Sequence, residues 1–253
     1  MFTHINDMVS RIKRDNPLIL NITNHVTMDF VANGLLSLGA SPIMTLATQE
    51  VDALVNLANA VVINIGTLND TFIELCEQVC LAANRLGKPI TLDPVGAGAS
   101  PYRTQACLHL LARFNIAIIR GNASEIMSLA HAAQSTKGVD SHHDTFDAID
   151  SAKYLASQHH AIIAISGKRD VVVNAEYVKS FDYGSSLMPQ ITGSGCLLSA
   201  IISAFDAVHT NHYDAVSAAV VFYGLCGERA ALKADGPGTF KPYFLDALGK
   251  TIL

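Results

Sequence analysis

A chain of 253 residues, half of them hydrophobic and only 15% charged, holds one large core or two modest ones and leaves few charges for its surface. Its net charge of -5 and the lack of any long Lys/Arg run argue against a nucleic-acid or anionic-membrane partner. Five cysteines, an odd number at wide spacing, fit a reducing, cytoplasmic setting better than a disulfide scaffold. The N-terminus lacks the apolar run of a secretory leader, and no apolar stretch is long enough to span a membrane.

Residues 5–14 read as a short helix ahead of Pro17, and Leu18 to Ile22 as a buried strand. A polar loop, Thr23 to Thr27, leads into a helix over 28–38 that Gly39 is suited to cap. Strand 41–44, helix 49–58, strand 60–65 and a long helix over 70–86 follow. Strand 90–93 ends at Pro94. Helix 102–112, strand 116–119, the polar triplet Arg120-Gly121-Asn122 and helix 123–133 come next. The stretch 134–146 reads as an exposed loop, followed by helix 147–157 and strand 161–165. Two short runs, 171–174 and 177–181, form an antiparallel hairpin at the sheet edge. Helix 213–232 is apolar along most of its length. Gly236-Pro237-Gly238 breaks the chain, and a helix over about 240–249 closes it.

Strands that are apolar on both faces and alternate with helices predict an α/β fold with a mostly parallel sheet, in one domain over 1–253. Asn24, Thr67, Asp93, Arg120 and Asn122 all fall immediately after apolar strands. Ligands of open α/β sheets bind at that end.

The segment Gly193-Ser194-Gly195-Cys196 opens a run of about thirteen small and apolar residues and predicts a tight turn feeding a buried helix. The unpaired N–H groups of such a helix start, with its dipole, make an anion site that glycines let an anion approach closely. Cys196 lies at its mouth, where a thiol pKa is expected to fall. The plainer reading is a Gly-rich loop before a core helix.

Other motifs carry less. Cys76 and Cys80 share a helix face and read as core packing. His142-His143-Asp144 reads as solvent-facing rather than as a metal site. Gly96-Ala97-Gly98 is a lone G-x-G, and neither the dinucleotide fingerprint nor the P-loop is present.

Six stretches taken in order resemble the hydroxyethylthiazole kinase family of the ribokinase-like superfamily: 21–27, 33–44, 64–68, 92–98, 119–125 and 192–196. The resemblance covers nearly the whole chain. It implies a three-layer α/β/α sandwich with an antiparallel edge hairpin, and phosphorylation by ATP and Mg2+ of the hydroxyl of 4-methyl-5-(2-hydroxyethyl)thiazole in thiamine biosynthesis. It further implies a homotrimer with active sites between subunits. By the same resemblance, Met44, Asn24 and Gly193 hold the thiazole. Arg120, Ser166 and Asn122 bind the nucleotide. Asp93 and Glu125 organise the metal. Gly193, Ser194, Gly195 and Cys196 form the catalytic turn, with Cys196 where most ribokinase-like sugar kinases have an aspartate base. The rivals are another ribokinase-like kinase, an ADP-forming dehydratase and a non-catalytic nucleotide sensor. The first two fit Cys196 less well, and the third fits the intact polar set less well.

Overall fold

The computed structural model describes residues 2–135 and 148–251. His142-His143-Asp144 and most of the 134–146 stretch lie outside them. The expected alternation is present: α1 (Phe2–Asp15), β1 (Leu18–Ile22), α2 (Met28–Leu38), β2 (Ser41–Met44), α3 (Val51–Leu57), β3 (Ala60–Asn64), α4 (Asp70–Arg85), β4 (Ile90–Asp93), α5 (Pro101–Arg113), β5 (Ile118–Asn122) and α6 (Ala123–Ser135). These continue into α7 (Ala148–His159), β6 (Ile162–Ser166), β7 (Asp170–Val173), β8 (Val178–Phe181), α8 (Ser194–Asp206), α9 (His212–Ala231) and α10 (Pro237–Leu248).

One eight-stranded sheet runs in the order β2-β1-β3-β4-β5-β6-β7-β8. The strands through β6 are parallel, and β7 and β8 add an antiparallel edge. The chain steps from β1 outward to β2, then returns to β3 on β1's other side. The crevice beyond the ends of β1 and β3 is therefore the topological switch point where such sheets bind ligands.

Period-two alternation sorts the strand residues between two cores. Ala60 and Val62 join one apolar cluster with α1, α2, α8, α9 and α10, while Val61 and Ile63 join the other with α3 to α7. The result is a three-layer sandwich. Following the same alternation, Asn21, Asn64, Asp93, Arg120 and Ser166 all fall on the α8 side, as a polar stripe under the start of α8. Leu197 packs α8 onto α2 so closely that a Cβ on Gly34 would lie 2.2 Å from its Cδ1.

Among the boundaries that differ from the expectation, two change the reading. β5 runs on through Asn122, so Arg120 and Asn122 are strand residues held in ladder register with Ala164 and Ser166. Pro237 does not break the chain but opens α10, because the first helical position needs no N–H. Cys76 and Cys80 are buried in the core as expected. Among the described residues no helix is long and apolar enough to cross a membrane.

Candidate functional site

Gly193 builds the turn before α8. Its φ of 91° is left-handed, and a Cβ there would sit 2.9 Å from Thr27 Cγ2. Glycine is required twice over, by conformation and by space. The N-cap position has no side-chain acceptor; the Ser194 N–H turns back to the Ile191 carbonyl at 3.4 Å, and the N–H groups of Gly195 and Cys196 stay available to a ligand.

The loop after β1 meets this turn. Asn24 Nδ2 donates to Cys196 Sγ at 3.3 Å and to Asn64 Oδ1 at 2.9 Å. Asn24 Oδ1 accepts from the backbone and the hydroxyl of Thr27. Asn64 passes the chain on, its Nδ2 donating to Asp93 Oδ2 at 2.8 Å. Ser199, one helical turn beyond Cys196, also donates to Asp93 Oδ2 at 2.8 Å. Asp93 Oδ1 has no hydrogen-bond partner and lies 3.7 Å from Arg120 Nη1. The Arg120 guanidinium also donates to Ser166 Oγ. It lies so close to the α8 turn that a Cβ on Gly195 would come within 2.6 Å of Nη1.

Burial dominates the electrostatics. Asp93 is wholly buried, and desolvation pushes its carboxyl up to about 6, with Arg120, Ser199 and Asn64 pulling it part of the way back. Asp170 is likewise raised to about 6 by burial, against the Gly167 N–H and Arg120. The Cys196 thiol is raised above its ordinary value by burial and then by Asp93, with hydrogen bonds from Thr27, Asn64 and Asn24 opposing. This corrects the expectation that the helix start lowers it: desolvation and a neighbouring carboxylate outweigh the dipole.

Beside the turn lies a cleft of about 790 Å3, walled by Arg120, Asn122, Ser166, Ser194, Gly195 and Tyr223, among others. Glu125 borders this region through the backbone: its two oxygens accept from the Gly96 and Asn122 N–H groups, each at 2.8 Å. Asn122 Oδ1 caps α6 in return by accepting from Glu125 N at 2.9 Å. The N-x-x-E spacing is a reciprocal clamp of the capping-box kind.

Nearly all residues singled out in the sequence thus converge: Asn24, Asp93, Arg120, Asn122, Glu125, Ser166 and the 193–196 turn. Met44 stands apart at the end of the edge strand β2, partly buried, opposite Asn21. It does not line the cleft. Sequence reasoning missed Asn64, Asp170, Ser199 and Tyr223. Asn64 was hidden in an apolar run, though its place at the end of β3 beside Asp93 is the signal. Ser199 is legible from its i+3 spacing to Cys196. Tyr223 lies in a uniformly apolar helix and carries no signal.

The profile of the Hydroxyethylthiazole kinase family matches residues 9–252. A hydroxyethylthiazole kinase of Desulfotalea psychrophila is 42% identical over 95% of this chain and 88% of its own. One from Chlamydia felis is 40% identical over 98% and 95%. The solved structure of the hydroxyethylthiazole kinase protein from Pyrococcus horikoshii superposes with a TM-score of 0.89 at 36% identity, covering 98% of this chain and 93% of that one. A pyridoxal kinase of Bacillus subtilis, solved as an ADP complex, shares the fold with a TM-score of 0.62 at 17% identity, over 83% of this chain and 91% of that one. With a matching profile over almost its whole length, relatives at this identity and a three-layer fold to go with them, the chain belongs to the hydroxyethylthiazole kinase family.

Proposed function

We propose that the cleft and the Asn24–Cys196 pocket are two halves of one active site for the family reaction. That reaction transfers the γ-phosphoryl group of ATP to the hydroxyl of 4-methyl-5-(2-hydroxyethyl)thiazole, a step of thiamine biosynthesis. One observation carries the reading: a continuous polar chain runs from Cys196 through Asn24, Asn64 and Asp93 to Arg120 on the cleft wall.

In this reading ATP lies in the cleft. Its phosphates meet Arg120 with its forked donors, Ser166, and the N–H groups of Gly195 and Cys196 at the helix start. Asn122 lies on the same wall. The thiazole lies against Asn24 and Gly193 beside the turn, and Met44, apart from them at the end of β2, would bound its far side with the soft, apolar contact that suits a neutral ring. The alcohol oxygen bonds to the γ-phosphorus as the bond to the ADP oxygen breaks. Most of the catalysis is alignment and charge stabilisation, which fixed backbone donors supply without reorganisation.

Cys196 faces the alcohol. Its thiol is largely protonated at neutral pH, so it is a weak helper: in a loose transition state the proton leaves late, and a small thiolate population accepts it.

The donor set fits Mg2+. Asp93 Oδ1 is a buried hard oxygen without a hydrogen-bond partner, and magnesium typically takes one or two carboxylates with phosphates and water. Glu125, with each oxygen already holding a backbone N–H, is suited to orient waters around the ion rather than to wrap it. The ion would neutralise charge on the phosphate oxygens.

The homotrimer with sites between subunits belongs to the same proposal. Val26 and Leu46, which flank the Asn24 loop and the end of β2, are 69% and 56% exposed, and a neighbouring subunit would cover them and Met44. Sedimentation at the mass of three 27.0 kDa chains tests this. The five free thiols suit a reducing cytoplasm.

The deciding experiment is ADP release with ATP and Mg2+, run with the thiazole alcohol, hydroxymethylpyrimidine, ribose or no acceptor. Thiazole-dependent turnover lost on chelation is expected. Turnover with another acceptor alone would overturn the substrate reading.

A further inference from the structure

Tyr223 is unused by the reaction as described, yet it touches the catalytic turn. It sits on α9, is 3% exposed, and its hydroxyl donates to the Ser194 carbonyl oxygen at 2.6 Å. Its ring packs edge-on against Phe244, centroids 4.8 Å apart, and lines the cleft. Ser194 is the first residue of α8. Its carbonyl belongs to the same planar peptide as the Gly195 N–H, and the two point in opposite directions. Anchoring the oxygen from α9 therefore aims the N–H. That N–H has no intrahelical partner and points out of the helix start. It emerges beside the Arg120 guanidinium, which lies against Gly195 Cα.

Neighbouring elements do not supply the same anchor. The turn has an extended or left-handed backbone on its N-terminal side and no side-chain cap. Gly195 has no side chain to restrain its own peptide. As the first residue of α8, Ser194 also gives its carbonyl to the helix ladder, and the phenol bond is a second, lateral tether that holds that peptide plane against α9.

We propose that Tyr223 is a positioning residue: by holding the Ser194 carbonyl it sets the direction of the Gly195 N–H toward the transferring phosphoryl group. This rests on the reading of the turn as the phosphoryl site. Since the tether acts on one donor's aim, it matters most when charge builds on the equatorial oxygens and little for ground-state binding.

The test is Tyr223→Phe, which keeps the ring and removes the hydroxyl. The expected result is a kcat lower by roughly 10-fold, with the thiazole KM and the Tm unchanged. Affinity for ADP–aluminium fluoride should fall by a similar factor while affinity for ADP alone stays level. Phe244→Leu is the packing control, expected to lower Tm and leave kcat intact. A kcat within twofold of the parent, or a lower kcat accompanied by rises in both KM values and a lower Tm, would overturn the inference. Should the phenylalanine variant not fold at the assay temperature, the same comparison is made at a lower temperature at which it does. Parent protein without thiazole-dependent ADP release would instead defeat the substrate reading. The aluminium fluoride comparison needs no acceptor and would still decide the role of Tyr223.

Discussion

Asn64 and Asp93 end neighbouring parallel strands in register, and the amide of the first donates to the carboxylate of the second at 2.8 Å. Asn64 Oδ1 accepts from Asn24 and from the Gly66 N–H, which fixes its orientation and commits its Nδ2 to Asp93. Asn64→Asp replaces that donor with a second carboxylate. The two acids would have to share a proton. In metal-free buffer the variant is expected to be close to the parent in stability near pH 4 and well below it at pH 8, as read by urea denaturation at each pH. Equal losses at both would refute the contact's electrostatic character.

Asp93 itself costs the apo protein stability. Its folded pKa, raised to about 6 by burial, exceeds the ordinary carboxylate value. The folded state therefore holds the proton more tightly than the unfolded chain, and stability falls as pH rises between about 4 and 6. A shift of this size corresponds to about 3 kcal/mol. Asp93→Asn removes the titration, so relative to the parent it should gain on the order of 3 kcal/mol between pH 4 and pH 8 in metal-free buffer, while losing kinase activity. A pH-independent difference in urea unfolding would count against the raised value.

Arg120 spans Asp93, Ser166 and the Gly195 backbone with one planar group. Lysine keeps the charge but has neither the fork nor the fixed plane. Arg120→Lys is expected to fold normally and to lose about 100-fold in kcat/KM for ATP, the equivalent of two charge-assisted hydrogen bonds. Steady-state kinetics with ATP varied at saturating thiazole would read this, and a loss under threefold would remove Arg120 from the phosphate site.

The sheet was legible because its signal is local. Each buried strand is a short apolar run bounded by turn residues, and the polar residues at the strand ends stand out against it. Asp93 and the 193–196 turn were visible for that reason. What could not be read were the partners supplied by distant elements. Tyr223 matters because α9 lies against the turn, a fact of tertiary packing alone, and although the place of Ser199 one turn from Cys196 is legible, its bond to Asp93 across the sheet is not. The Cys196 thiol was misjudged on the same ground: the helix start is in the sequence, but the burial and the carboxylate of Asp93 that outweigh it come from elsewhere in the chain.

Two glycines on α9 separate a stability effect from a binding effect. A Cβ on Gly224 would lie 3.0 Å from the backbone carbonyl carbon and oxygen of Tyr183 and 2.6 Å from its Cβ. Backbone cannot easily give way, so Gly224→Ala should lower stability by about 1–3 kcal/mol. On Gly227 the Cβ would lie 2.4 Å from Met188 Sδ, the end of a flexible side chain that lines the cleft. Gly227→Ala is expected to push Met188 into the nucleotide space, raising KM for ATP several-fold with little change in Tm or thiazole KM. Thermal melts and paired KM measurements check both, and a reversed order of stability would contradict the packing described.

Cys196 gives the sharpest pH prediction for catalysis. Its thiol sits above its ordinary value because burial and Asp93 both disfavour the thiolate, despite the hydrogen bonds from Thr27, Asn64 and Asn24. If the thiolate accepts the alcohol proton, kcat must climb with pH across the alkaline range, since the reactive form increases tenfold per pH unit below the thiol pKa. Cys196→Ala should flatten that climb and lower kcat at pH 8 by about 100-fold, the low end of what a general base supplies. Cys196→Ser, whose hydroxyl does not ionise in this range, should behave like the alanine variant. An alanine variant with the parent's rate across the whole pH range would leave Cys196 as a wall of the pocket, and the burden of catalysis would then rest on Arg120 and the free N–H groups of the turn.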